Sequence, residues 1–513
     1  MYHWKATAFF IACIIIWVVQ DSFRKRFSKS NNGKPPGPRP LPIIGNVFDI
    51  PRQKEWETFS KWAQEYGDIV FLSIFGRPLI ILNSVEATTE LLLDRSAIYS
   101  DRPYFPLLDM TGHLATNVGF MPYGKEWTSL RKVFASGFSK ANLITYYESH
   151  RRATMNMLKN FERNPKNYAE HFKLHAVQLV IDVTYGIHVT SFDHHLVHLA
   201  TRVLGAVSSL INPLTLILNP ALLVKVLPGC LGGSGLSHRI ERWKRDLREF
   251  QVWPFEQTKS DMISGSYRPS FTSCLLQELE GKEADSTEEI LIRNSAAAAY
   301  GAQTTAAAVT FLLAMHLYPE AQKRAQEEID LVVGTDRLPD FKDRDHLPYV
   351  SATLKEVLRW HSPTPQAMPH MLSQDDHYRG FHLPAGSIII GNAWNILHDP
   401  AVFKDPLAFR PERHLGSLSE EVAERMEVYN RIPFGFGRRL CPGKAFAEDA
   451  LWLLFAQFLA VFRVTPDPNF PPAKAEFTSG PLSHAAPFNC NIKTRSESAK
   501  LLLEVESSAG QSD

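Results

Sequence analysis

The chain has 513 residues, of which 44% are apolar and 21% charged, the balance of an ordinary folded protein with enough apolar surface for a large core. A formal net charge of +1 excludes the bulk field of a nucleic-acid binder. Five cysteines, odd in number and far apart, exclude a disulfide framework and fit a reducing compartment.

The N-terminus stands apart. Ala6 to Val19 is apolar apart from Thr7, with Trp4 and Trp17 near its ends and Arg24, Lys25, Arg26 and Lys29 behind it. A cleaved signal peptide carries its positive charge ahead of the apolar run and small residues after it. Here the heavier charge follows, so residues 1–22 read as a retained membrane anchor with a cytosolic basic flank. The run is shorter than the roughly 20 residues of a typical span, which fits a tilted or partly interfacial anchor. Residues 23–45 are basic and then proline-rich, ending in Pro35-Pro36-Gly37-Pro38-Arg39-Pro40-Leu41-Pro42. Proline fixes φ, so this stretch reads as a stiff hinge.

Residues 46–495 read as one domain. Ile69 to Ile74 and Leu79 to Leu82 are β-rich runs around Phe75-Gly76-Arg77-Pro78, a hairpin signature. Val85 to Arg95 has helical spacing, and residues 125–360 are predominantly helical by period. Leu204 to Leu227 is apolar, but Pro213 and Pro220 make it a poor membrane span. Ile290 to Leu317 is alanine-rich and suits a buried central helix, with Pro319 as its stop. Short strands return over 378–398, and Ala445 to Phe462 is helical again. Residues 496–513 are rich in Ser, Glu and Lys and read as a flexible tail. The fold class expected is mainly α with small β-sheets.

Three patterns carry chemistry. Trp127 and Arg131 lie one helical turn apart, and both are donors without acceptor capacity, suited to a carboxylate. Glu356 and Arg359 sit at i and i+3 on one helical face, a common and usually solvated pairing. The third is Phe434-Gly435-Phe436-Gly437-Arg438-Arg439-Leu440-Cys441-Pro442-Gly443, a cysteine in a glycine-shaped loop. A zinc site needs more cysteines or histidines nearby, and none flanks Cys441. A dinucleotide loop needs a third glycine where Leu440 stands. A tight loop whose amides face the sulfur is what a metal-bound thiolate requires, with an inert buried thiol as the plain alternative.

Phe-x-x-Gly-x-Arg-x-Cys-x-Gly runs without a gap from Phe434 to Gly443 and closely resembles the heme-ligand loop of the cytochrome P450 family. The order Glu356-x-x-Arg359, then Pro411-Glu412-Arg413, then the cysteine loop is similar to that family's order, and the likeness runs from Pro35 to about Cys490. It implies a long central helix over a heme b (iron protoporphyrin IX) whose axial ligand is Cys441. It implies Phe434 shielding the sulfur, with Gly437 and Gly443 shaping the loop. Arg439, Trp127, Arg131 and His370 would meet the heme propionates, with Arg102 a weaker candidate. Glu356, Arg359 and Arg413 would form a buried ion-paired triad. Thr304 and Gln303 would sit on the oxygen side. There the family's small-Gly-x-acid-Thr-Thr becomes Tyr300-Gly301-Ala302-Gln303-Thr304-Thr305, so an amide replaces the acid that passes protons.

The resemblance further implies a monooxygenase inserting one oxygen atom from O2 into a lipophilic small molecule, terpenoid or polyketide-like. The setting would be fungal secondary metabolism at the endoplasmic reticulum membrane, with the protein a monomer. No flavin or nicotinamide fingerprint occurs in the chain, so electrons would come from an NADPH-cytochrome reductase. Lys132, Arg438 and Lys444 are candidate docking points for it. The substrate side would comprise residues 104–120, Tyr300, Pro363 to Met368 and Thr478 to Leu482. Residues 204–227 would line an access channel at the membrane surface or belong to ordinary core. Gln303 keeps two other classes open: a heme-thiolate isomerase or dehydratase needing no reductase, and a catalytically silent heme-binding protein.

Overall fold

The structure is a computed structural model that describes residues 33–211, 233–279, 286–299, 304–416 and 420–509. The anchor expected over 1–22, much of the hinge, Tyr300 to Gln303 and most of 204–227 lie outside the described residues.

Helices dominate, and the sheets are small. β1 (Ile69–Ile74) and β2 (Arg77–Leu82) pair antiparallel through a two-residue turn at Phe75 and Gly76, both with positive φ. Two positive φ angles match the right-handed twist of a hairpin. β3 (His370–Met371) pairs antiparallel with β4 (Ile388–Gly391), which runs parallel to β2, so the sheet order is β1-β2-β4-β3. The period of two divides this sheet between two cores. Val70, Leu72, Ile74 and Ile81 pack with Phe59 of the helix Glu55–Tyr66. Ile69, Ile80, Leu82 and Ile389 face Leu91, Leu92 and Tyr99. That second layer includes a π-helical turn, Thr89–Asp94, where the spacing of Val85 to Arg95 predicts a plain helix.

The main core is built on two helices, Thr304–Leu317 and Lys444–Val461. Each is apolar nearly all round, and such helices are buried. Phe311 of the first stacks on Phe455 of the second, with centroids 3.9 Å apart. The alanine-rich stretch expected over Ile290 to Leu317 is described as Ser286–Ala299 and Thr304–Leu317. The stretch Thr287–Leu317 is long and apolar enough to cross a membrane, but 86% of its most apolar window is buried inside the protein. It is core. The tail expected to be flexible contains a helix, Glu497–Ala509, whose Ala499 and Leu503 are buried. The Ser/Glu/Lys content hid an apolar stripe that docks on the main core.

Candidate functional site

The cysteine loop is closed by its own backbone. A 3-10 turn over Ile432–Phe434 leads to Gly435 at φ 92, and a second over Gly437–Arg439 opens with Gly437 at φ 51. The Cys441 N–H donates to the Phe434 carbonyl at 2.8 Å and the Leu440 N–H to the Gly437 carbonyl at 3.1 Å. Gly437 is required for a second reason: a Cβ there would stand 2.0 Å from the carbonyl oxygen of Leu92 in the π-helical turn. The sheet layer and the cysteine loop therefore touch backbone to backbone.

Cys441 stands just ahead of the 18-residue helix Lys444–Val461. Burial pushes its thiol up, against the pull of the Gly443 N–H and of Arg131. The side chain is accessible, yet it is ringed by protein; the two statements agree because its free surface faces an internal cavity. Among the described residues no group of three or more His, Cys, Asp or Glu is placed to hold a metal ion. A metal bound by this single sulfur has to bring its other ligands with it.

The cavity measures about 340 Å³. Cys441, Phe434 and Gly443 form one wall, and Thr304 with Ala299 and Ala307 another. Thr304 is 6% exposed. Gln303 lies outside the described residues, so the structure places only one of the two oxygen-side residues. The sequence-predicted substrate segments contribute Phe120, Pro363, Met368 and Leu482 to the lining, and the stretch before residue 212 contributes Leu204 and Ile211.

Three guanidinium groups gather at the cavity. Arg439 donates to the carbonyls of Ser100 at 2.7 Å, Val118 at 3.1 Å and Met121 at 2.8 Å. Arg102 donates to Gly119 at 3.0 Å, Met368 at 2.9 Å and Pro369 at 2.6 Å. Arg131 donates to Leu440 O at 2.6 Å. Arg102 and Arg439 are 5% and 7% exposed. Burial pushes all three below the usual guanidinium range, Arg439 to about 10, and they repel one another. Among the described residues, Asp101 is the nearby carboxylate that offsets Arg102 and Arg439. Buried, undercompensated cations are costly. This donor set fits a cofactor that brings anionic groups, and the lone thiol fits its metal.

The remaining predicted residues divide. The Trp127 N–H is spent on Val118 O at 3.1 Å, and its indole forms a platform for Arg439 and Arg131. His370 is buried and lines the cavity, and its Nδ1 donates to Tyr99 O at 2.8 Å. Burial holds that ring well below the usual imidazole range, so Nε2 carries a lone pair and serves an anion only after gaining a proton. Arg102, weighed as the weaker candidate from sequence, itself lines the cavity and donates to Gly119 and Met368, which line it too. Of the three basic docking candidates, Lys444 pairs with Glu448 at 2.7 Å and Arg438 donates to Tyr123 Oη.

Glu356, Arg359 and Arg413 meet as expected. The Glu356 carboxylate is fully buried and accepts from Arg359 Nε at 2.7 Å, Arg359 Nη2 at 2.9 Å and Arg413 Nε at 3.0 Å. Sequence reasoning missed two further donors, the Arg410 N–H at 2.8 Å and His414 Nε2 at 3.0 Å. Burial raises this carboxyl, but His414 and Arg359 outweigh it, leaving about 2. A charged His414 would lower Glu356 most, yet burial lowers His414 itself. We take His414 as a neutral donor, because the two arginines already supply the countercharge.

Comparison with known proteins gives one consistent result. The Cytochrome P450 family matches residues 35–491. Cytochrome P450 monooxygenase 208 of Postia placenta is 37% identical over 91% of this chain and 92% of its own length. Cytochrome P450 monooxygenase COX1 of Coprinopsis cinerea is 33% identical over 96% and 97%. Cytochrome P450 monooxygenase claT of Ampulloclitocybe clavipes is 36% identical over 96% and 97%.

Proposed function

The chain belongs to the cytochrome P450 family, an oxidoreductase class whose members hold a heme by a cysteine thiolate, and from that premise we propose a membrane-anchored heme b monooxygenase acting on a lipophilic small molecule. The observation that carries this reading is the single thiol of Cys441 facing a cavity rimmed by two buried guanidinium groups, Arg102 and Arg439, and the half-buried Arg131. Cys441 would bind the iron, with Phe434, Gly437 and Gly443 shaping its loop. Arg439, Arg102 and Arg131 would meet the propionates, with His370 beside them and Trp127 as their platform. Bound through a thiolate, the heme in this enzyme class activates O2 for insertion into C–H bonds.

The chain's own work is positioning. Glu356, Arg359 and Arg413 lock the proximal side. Thr304 Oγ1 would hold a water and pass its proton, with the Gln303 amide unable to take the place of an acid. The apolar walls exclude bulk water and favour a terpenoid or polyketide-like substrate of secondary metabolism. Electrons would come from an NADPH-cytochrome reductase, and the protein would act as a monomer. Residues 1–22 would anchor it in the endoplasmic reticulum membrane, 23–45 would form the hinge and 46–495 the catalytic domain. Leu41 and Ile43 in that hinge and Phe48 just after it, apolar and 48%, 61% and 77% exposed, support a membrane-facing end.

The test is the reduced carbon-monoxide difference spectrum. We expect the thiolate-type Soret band from the full chain and its loss in Cys441→Ser, together with NADPH- and reductase-dependent oxidation of a lipophilic panel. A colourless protein after heme-replete expression overturns the reading.

A further inference from the structure

His113, in the segment that reading puts on the substrate side, is a polar side chain on the cavity wall with no individual role assigned. His113 opens the short helix His113–Thr116 behind Gly112 at φ 83, and it is 1% exposed. It lines the cavity together with Asn117 and Gln251. The helix Gly233–Ser264 passes close by: a Cβ on Gly112 would meet Leu247 at 3.8 Å, and Gln251 follows one turn later. Elsewhere the wall beside them is apolar, with Phe134, Phe138, Val207 and Phe250.

The protonation of this ring follows from its neighbour. His113 Nδ1 lies 2.8 Å from Thr111 Oγ1, and that oxygen lies 3.1 Å from the carbonyl oxygens of both Leu107 and Leu108. The hydroxyl has one proton. Given to Nδ1, it would leave Oγ1 facing two carbonyl oxygens with lone pairs alone. Given to those carbonyls, it leaves a lone pair to accept an Nδ1–H, and every contact is satisfied. The network thus assigns the ring proton to Nδ1. Nε2 then carries a lone pair, and it is buried without a partner among the described residues. Burial also pushes the imidazole down to about 4, so it stays neutral.

We propose that a substrate hydroxyl parts the side chains that seal His113 Nε2 from the cavity its residue lines and donates to it, so that the cavity selects a lipophilic alcohol over the matching ether or ketone. This deepens the monooxygenase reading and rests on it for calling the cavity a substrate pocket. It also sets an order: the substrate arrives already carrying a hydroxyl, so a hydroxylating or hydrolytic step comes first.

The test is calorimetric binding of cyclododecanol, cyclododecyl methyl ether and cyclododecanone to the heme-loaded full chain in detergent. One neutral hydrogen bond predicts about fivefold tighter binding of the alcohol. In His113→Phe that ratio falls to about one while the ether keeps its affinity. Thr111→Val removes the lock on Nδ1 and lets Nε2 carry the proton, so ketone and ether gain on the alcohol. Equal affinities in the wild type, binding of none of the three, or a preference that survives His113→Phe overturns the proposal. Where His113→Phe fails to fold, an unchanged alcohol-to-ketone ratio in Thr111→Val does the same. A chain that oxidises lipophiles without this preference loses only this proposal, and one that binds the alcohol selectively but lacks the thiolate band loses only the monooxygenase reading.

Discussion

Arg439 lies over the indole of Trp127, its guanidinium carbon 4.5 Å from the ring centroid. Three backbone carbonyls hold the same guanidinium from its edges. The cation is thus fixed in the protein itself, before any anionic group reaches it. Trp127→Leu removes the stacked face and the bond to Val118. We expect a loss of about 3 kcal/mol in denaturant unfolding, from the truncated indole and a desolvated cation–π contact. Heme content per chain should fall with it. Retention of full heme content by the variant contradicts the platform role.

Glu356 predicts a specific acid sensitivity. Its carboxyl titrates at about 2 in the fold against 4.5 ordinarily, so its contribution is fully present above about pH 4.5 and is lost as pH falls through 2. A shift of that size corresponds to roughly 3 kcal/mol. Glu356→Gln leaves Arg359 and Arg413 without countercharge and should cost about 3–5 kcal/mol at pH 7. The stability gap between wild type and variant should shrink by about 2 kcal/mol between pH 7 and pH 3. A gap independent of pH contradicts the assignment.

How much of this was legible beforehand depended on distance along the chain. Glu356 and Arg359 share one helical turn, so their pairing followed from spacing, and the glycine demands of the Cys441 loop followed from local backbone geometry. Arg413, from a loop more than fifty residues away, was expected through family resemblance and not from spacing, and the His414 and Arg410 bonds from that same loop had neither signal. The use of the Trp127 N–H was hidden for a similar reason: the Val118 carbonyl comes from the preceding loop and takes the donor first. His113 lies in the 104–120 segment that resemblance put on the substrate side, but its bond to Thr111 behind the left-handed Gly112 could not be read, because nothing in Thr-Gly-His announces it. The docked tail was concealed by its composition, which outweighed two small apolar contacts.

Two glycines of the cysteine loop should behave oppositely. Gly437→Ala combines a φ of 51 with a Cβ 2.0 Å from backbone oxygen, so the loop must move or the fold open. We expect a cost above about 4 kcal/mol and heme-free protein. Gly443→Ala has φ −91 and would place its Cβ 3.9 Å from the Cys441 sulfur, an ordinary contact. That variant should stay within about 1 kcal/mol of wild type and keep its heme. Unfolding curves and heme-to-protein ratios separate the two, and equal behaviour would refute the backbone contact with Leu92.

Thr304 and Gln303 set the last prediction. Thr304 is buried on the cavity wall beside Ala307. Its hydroxyl can both accept and donate, whereas the Gln303 amide cannot change protonation near neutral pH. Proton supply should therefore depend on Thr304 Oγ1 and on a water it would hold under the proposed function. Thr304→Val keeps the side-chain shape and removes that oxygen. NADPH consumption should continue, with product formed per NADPH falling severalfold. Gln303→Asp adds a group that can carry a proton and should raise the same ratio. Both are read by quantifying product against NADPH oxidised, with fold and heme content as controls. If Thr304→Val leaves the ratio unchanged, protons enter by another path and the hydroxyl serves packing alone.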